Sequence, residues 1–179
     1  MKQKENLSFV KLFSFIVLLT LFLSGCSRER TDVGQIHKVK NGLYIKTVSQ
    51  SDAGKSNGKC EIALTTAAVS FDDGGKIISC RLDAADVDVA YTAEGKAVPM
   101  EKIATKRELG DSYGMKAAGA KAEWYEQADA FEKLIEGKTT DEIKAYVADN
   151  GYGTDDVIKA GCTISVEDFV KAIVNASKN

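Results

Sequence analysis

Two segments in which apolar and polar residues alternate flank the Gly-rich stretch at 72–75. Alternation with a period of two on both sides of such a stretch predicts a β-hairpin over residues 58–91. The segment 42–49 alternates in the same way, so we expect it to form another strand of the same sheet. This part of the chain therefore predicts an antiparallel sheet built on a long β-hairpin.

A two-residue loop at Gly74 and Gly75 fixes the register of the predicted hairpin. This register sets apolar residues of the two strands opposite each other, on one face near the turn and on the other face further out. The opposed pairs are Ala67 with Leu82, Val69 with Cys80, Phe71 with Ile78, Cys60 with Val89, Ile62 with Val87 and Leu64 with Ala85. We therefore expect both faces of the hairpin to be covered somewhere along its length.

Helical periodicity replaces this alternation in the C-terminal part of the chain. Residues 121–136 place apolar side chains on one stripe, and Thr139 begins a T-x-x-E capping box that opens a second helix. A short helical turn and a last helix over 165–175, capped by Ser165, follow. Strands first and helices after them predict a single α+β domain over 41–179, with the C-terminal helices packed on the sheet.

The N-terminal residues 1–25 match a bacterial signal peptide. Lysines at the start precede an apolar run over 12–23, which is shorter than the about 20 residues that a bilayer span requires. The run ends in Leu-Ser-Gly-Cys, which resembles the lipobox of bacterial lipoproteins, with Cys26 as its cysteine. This resemblance implies cleavage before Cys26, a diacylglycerol on its thiol and a location at the outer face of the cytoplasmic membrane. Residues 26–40 are then the lipidated cysteine and a polar tether.

Composition and charge narrow the classes of function. The chain has 24 Lys and Arg against 26 Asp and Glu, so it lacks the cationic surface that nucleic acids require, and we expect no nucleic-acid partner. Its single histidine, His37, lies in the predicted tether, which excludes multi-histidine metal sites and leaves no well-placed base for a catalytic triad. The sequence thus predicts no catalytic residues and no metal site.

Of the four cysteines, Cys60, Cys80 and Cys162 fall within the predicted domain. Three cysteines allow at most one internal disulfide. The hairpin register places Cys60 and Cys80 on opposite faces of the sheet, which disfavours a direct bridge between them. A disulfide would therefore join Cys162 to one of the other two, and the sequence leaves open which.

Gly161, Cys162 and Thr163 stand shortly before the last predicted helix. This arrangement, together with the turn at 73–77, resembles the FMN-binding domains of bacterial surface electron-transfer proteins. In that family a threonine at this place is esterified to the flavin phosphate by a separate transferase. The resemblance implies that Thr163 is the attachment site, that Gly161 allows close approach of the cofactor, and that Cys162 replaces a small alanine.

Two residues depart from the pattern of that family. Ala160 stands where the family has Ser or Thr, and Asp156 is one residue further from Thr163 than the aspartate that the transferase recognises. Covalent FMN, non-covalent FMN and loss of the flavin therefore all stay open.

A second resemblance concerns Firmicutes-type exported lipoproteins of unassigned activity, and it rests on the segments 106–115, 123–133 and 166–173. The two resemblances together imply a membrane-anchored lipoprotein with an FMN-binding-like domain. One hypothesis is a flavin electron carrier at the cell surface, with a flavin transferase or a redox protein as partner. The alternative is a non-enzymatic binding or scaffold lipoprotein without a cofactor.

Overall fold

The computed structural model describes residues 37–51, 54, 57–100 and 102–179. The predicted signal peptide at 1–25, the lipidation of Cys26 and most of the tether lie outside the described residues. Within the described ranges, no helix is both long enough and apolar enough to span a bilayer.

Three long strands form the sheet that the alternating pattern predicts. β1 (Val39–Ser51), β2 (Gly58–Phe71) and β3 (Ile77–Tyr91) are antiparallel neighbours in that order. β1 begins at Val39, inside the segment that the sequence assigned to the tether. The helices follow the sheet along the chain, which confirms the predicted α+β class.

The predicted register of the hairpin is confirmed over most of its length. All predicted pairs but one are present: Ala67 with Leu82, Val69 with Cys80, Cys60 with Val89, Ile62 with Val87 and Leu64 with Ala85. Cys60 and Cys80 consequently lie on opposite faces of the sheet. The thiols of Cys60, Cys80 and Cys162 are all free in the structure, so neither of the two pairings that the sequence left open is present.

The turn differs from the predicted two-residue loop. Gly75 has a left-handed backbone with a φ of 77°, and its N–H donates to the Asp72 carbonyl, while the Asp72 N–H donates to the Lys76 carbonyl. The Asp72 carboxylate also accepts the Lys76 N–H, so side-chain hydrogen bonding favours a longer loop. The strands shift register beside this loop, and Phe71 pairs with Ile77, one residue before the predicted partner.

In the described residues the sheet is followed by α1 (Lys106–Leu109), α2 (Trp124–Leu134), α3 (Thr140–Lys144), α4 (Asp155–Ala160) and α5 (Glu167–Ser177), with a 3₁₀ turn at Gly110–Tyr113 after α1. The capping box predicted at Thr139 is confirmed, because Thr139 and Glu142 exchange side-chain and backbone hydrogen bonds. The cap predicted at Ser165 is wrong. Its hydroxyl donates to the Gly151 carbonyl, and that carbonyl also accepts the N–H groups at the start of α5.

The helix α5 packs directly on β1 and β2 and supplies much of the core. Its side chains Phe169, Val170 and Ile173 are almost fully buried. The backbones of α5 and β1 meet at Gly42, where an added Cβ would lie 1.9 Å from the Ala172 carbonyl oxygen. The sequence therefore positions the last helix through one glycine and a row of apolar residues.

The opposite face of the sheet is open in the described residues. On β1, Val39, Leu43 and Ile45 are each about half exposed. On β2, Ile62 and Leu64 of the same face are only half-buried. The expectation that both faces of the hairpin are covered is therefore wrong for this part of the chain, because α5 packs on one face only.

Charged side chains close the outer edge of β3. The Leu82 N–H donates to the Glu132 carboxylate of α2 over 2.7 Å, and the Arg107 guanidinium of α1 donates to the Leu82 carbonyl. Arg107 and Glu132 also form an ion pair, with side chains only 12% and 10% exposed. An edge strand otherwise leaves such N–H and C=O groups unpaired. The ion pair thus takes the place of a neighbouring strand at Leu82.

Candidate functional site

Thr163 lies at the surface, in the short segment between α4 and α5. Its backbone N–H donates to the side-chain oxygen of Gln127 over 2.8 Å, and its hydroxyl lies 2.9 Å from the same oxygen. Two hydrogen bonds to one buried acceptor fix both the backbone and the side chain of Thr163. The predicted attachment residue is therefore exposed to solvent and held in one orientation.

Gln127 is the residue that positions Thr163. Its side chain is almost fully buried in α2, and its amide nitrogen donates to the Ala122 carbonyl over 3.1 Å. That bond turns the amide oxygen toward Thr163. Gln127 was not predicted from the sequence, although a polar residue on the apolar stripe of a helix is a signal that could have found it.

The other two predicted cofactor residues have structural roles in this fold. Gly161 ends α4 with a left-handed φ of 109°, and its N–H donates to the Ile158 carbonyl. The Cys162 side chain is fully buried in the core. The three consecutive residues therefore do not form one binding surface. Of the three, only Thr163 has a hydrogen-bonding side chain at the surface.

Burial also controls the chemistry of the cysteine thiols. It raises the pKa of the Cys162 thiol to about 11. Burial, reinforced by the Glu132 charge, raises the pKa of the Cys80 thiol to about 12. Both thiols are therefore protonated, and weakly nucleophilic, near neutral pH.

We expect iodoacetamide near neutral pH to alkylate Cys60 of the folded protein well before Cys80 or Cys162, because alkylation requires an accessible thiolate. Peptide mapping by mass spectrometry after timed labelling measures this order. Labelling in denaturant is the control, and there the difference should vanish. Equal rates for Cys60 and Cys162 in the folded protein would contradict the burial described above.

A cleft of about 270 Å³ opens next to Thr163, between the covered face of the sheet and the start of α5. We call it the Asp168 cleft. Its walls include Ala63, Lys106, Tyr113, Trp124, Asp168 and Phe169. The residues that directly follow Thr163 along the chain, Ile164 and Ser165, also line it. This cleft was not predicted from the sequence, because its walls come from distant segments of the chain.

The charges around the Asp168 cleft are paired. The Lys106 ammonium lies 2.9 Å from the Asp86 carboxylate and 5.0 Å from the centre of the Tyr113 ring. Burial acts to lower the pKa of Lys106, but hydrogen bonding to Tyr113 and Asp86 outweighs it, so the pKa is raised above its ordinary value. Lys106 is therefore a cation whose charge is balanced by the Asp86 carboxylate beside it.

Asp168 is held differently on its two carboxylate oxygens. One oxygen forms an ion pair with Lys46 of β1. The other oxygen, Oδ1, is buried and has no hydrogen-bond partner among the described residues. Buried polar atoms are nearly always hydrogen-bonded, so this unpaired acceptor is an exception among the described residues.

In the described part of the chain, no three His, Cys, Asp or Glu side chains are grouped as metal ligands. No protein family and no solved structure matches the chain. The chain is similar to a chlorophenol reductase of Desulfitobacterium hafniense, with 29% identity over 128 residues. The match covers 62% of this chain and 38% of the length of that relative.

Proposed function

We propose that this protein is a lipid-anchored domain at the outer face of the cytoplasmic membrane that carries FMN on Thr163 and transfers electrons. The observation that carries the proposal is the exposed Thr163 side chain, held by two hydrogen bonds to buried Gln127. Similarity to a chlorophenol reductase supports a redox role. The predicted lipid on Cys26 supports the location.

The residues present fit a flavin that is attached rather than enclosed. The Asp168 cleft holds about 270 Å³, just below the about 300 Å³ at which pockets begin to enclose drug-sized ligands. It is therefore too small for a whole flavin nucleotide. Esterification of the Thr163 hydroxyl would leave the hydrogen bond from its backbone N–H to Gln127 in place. A phosphate bonded to Thr163 would thus extend from a fixed point into solvent.

When bound, FMN supplies the electron-accepting and electron-donating chemistry. The chain's own contribution is to hold the attachment point. Gln127 orients Thr163, and the left-handed Gly161 ends α4 so that the chain can turn toward Thr163. Cys162 anchors this turn in the core, since its side chain is fully buried and its N–H donates to the Val157 carbonyl.

Replacing Thr163 by Ala is expected to remove the flavin from the protein made in its native host, because no hydroxyl remains to be esterified. Replacing Thr163 by Ser keeps a hydroxyl and should retain at least part of the flavin. Intact mass and visible absorbance measure both variants. The matched control is Thr47→Ala, which removes an exposed hydroxyl on β1 and should leave the flavin content unchanged.

Full flavin content in Thr163→Ala would show that any attachment lies elsewhere. Wild-type protein without flavin absorbance would contradict the proposal itself. The leading account would then be the binding or scaffold lipoprotein without a cofactor.

A further inference from the structure

The sheet face opposite α5, which we call the open face, is an interaction surface, and we infer that it packs against the same face of a second copy of this chain. Thr163 is not part of this face, so the contact between copies does not depend on a flavin. The open face is apolar and nearly uncharged, both sheet edges are closed beside it, and its area suits a weak dimer.

The open face carries a continuous apolar patch. Ile45 of β1, Leu64 of β2 and Ala85 of β3 lie side by side across the three strands. Two positions along β2, Ile62 lies beside Val87 in the same way. A sheet face that meets water usually carries polar side chains. A patch of apolar side chains that crosses every strand indicates a protein interaction site.

The charge of the open face favours a partner that is itself neutral and apolar. On β1 and β2, the alternate positions that belong to this face carry no Asp, Glu, Lys or Arg over 39–47 and 60–70. On β3, Arg81 and Asp83 are its two charged residues, and their charges are opposite in sign. Anionic lipid surfaces attract clusters of Lys and Arg, which this face lacks. A second copy of the same face is apolar and brings no repulsion.

Both edges of the sheet are closed beside the open face. On the outer edge of β1, the Asn175 side-chain amide donates to the Leu43 carbonyl over 3.0 Å. The Asn179 side-chain amide donates to the Asn41 carbonyl over 2.7 Å. The ion pair at Leu82 closes the edge of β3. The face, rather than an added strand at these positions, is therefore the surface left for a partner.

The area of the open face fits a weak, reversible dimer. β1 has 13 residues, so at about 3.3 Å per residue it is about 43 Å long, and three strands about 4.8 Å apart are about 14 Å wide. Two such faces would bury about 1,200 Å², the lower limit for a specific protein–protein interface. A two-fold dimer presents the same patch on both copies, packed as in a β-sandwich.

Photochemical crosslinking in the native host tests what covers the open face. The full chain is made with p-benzoylphenylalanine in place of Ile45, intact cells are irradiated, and the products are identified by denaturing electrophoresis and mass spectrometry. We expect a product of two copies, because Ile45 is 51% exposed in the single chain and covered in the dimer. The matched control carries p-benzoylphenylalanine in place of Ile158, which is 49% exposed on α4, and should give no such product.

A charge on the open face distinguishes specific packing from chance collision. Thr66→Lys adds a cation at an exposed position of the middle strand, and burial of this charge without a partner opposes association. We expect the two-copy product from position 45 to fall by about tenfold or more. Ile158→Lys adds the same charge on α4 and should leave the yield unchanged. Circular dichroism checks that each variant is folded.

A wild-type chain that crosslinks from position 45 to lipid, to another protein or within itself, without a two-copy product, would overturn the inference. Equal yields of this product from positions 45 and 158 would overturn it as well, and so would an unchanged yield in folded Thr66→Lys. None of these results bears on the flavin content at Thr163, so failure of this inference is distinguishable from failure of the proposed function.

Discussion

Replacing Glu132 by Ala is expected to lower the free energy of unfolding by about 3 kcal/mol, the low end of the range for breaking a buried ion pair by removing one partner, because Arg107 keeps Asp129 as a partner. Glu132 is 8% exposed, accepts the Leu82 N–H and pairs with Arg107. Its removal leaves the Arg107 guanidinium with Asp129 as its remaining carboxylate partner and the Leu82 N–H without an acceptor. Urea unfolding followed by circular dichroism measures the loss.

Glu136→Ala is the matched control for Glu132. Glu136 pairs with Lys133 one turn away, and the two side chains are 45% and 79% exposed. Removing one partner of such an exposed pair should cost less than about 1 kcal/mol. Similar losses in Glu132→Ala and Glu136→Ala would show that the ion pair does not hold the edge of β3.

The second large effect is expected at Gly42, where Ala should destabilise the protein by about 3 kcal/mol, the upper part of the range for overpacking. An added Cβ would lie 1.9 Å from the Ala172 carbonyl oxygen and 2.5 Å from the Ala176 nitrogen. Both are backbone atoms of α5, so no side chain can rotate away and the helix itself must move. The midpoint of urea unfolding measures this effect.

Gly54→Ala controls for the change of residue type at Gly42. No described atom lies within 4 Å of the position that a Cβ would take at Gly54. This variant should therefore leave the unfolding midpoint nearly unchanged, apart from the small entropic effect of any glycine replacement. A Gly42→Ala protein as stable as Gly54→Ala would contradict the close packing of α5 on β1.

The hairpin could be predicted because the sequence features that define it lie in neighbouring residues. A period of two on each strand fixes which side chains share a face, and the turn sequence limits the register. The loop length was wrong because the Asp72 carboxylate bonds to the Lys76 N–H, a side-chain contact that residue types alone do not specify. The predicted pairing of β2 with β3 is nevertheless correct over most of the hairpin, because the register shift is confined to the residues beside the turn.

The site could be predicted only in part, because its support comes from tertiary contacts. Thr163 was singled out through the resemblance of the segment before the last helix, whereas Gln127, which accepts its hydrogen bonds, lies 36 positions earlier in the chain. The Asp168 cleft exists only once β2, β3 and α5 are packed together. Sequence periodicity predicts which residues are buried, but not which polar atom meets which partner.

One measurement can detect both a flavin on Thr163 and a lipid on Cys26. The protein is extracted from the membrane fraction of its native host, and its intact mass and visible spectrum are recorded. We expect a chain that begins at Cys26, carries a lipid and one FMN, and absorbs as a flavin. A colourless protein whose mass equals that of the chain and its lipid alone would contradict the proposed flavin on Thr163.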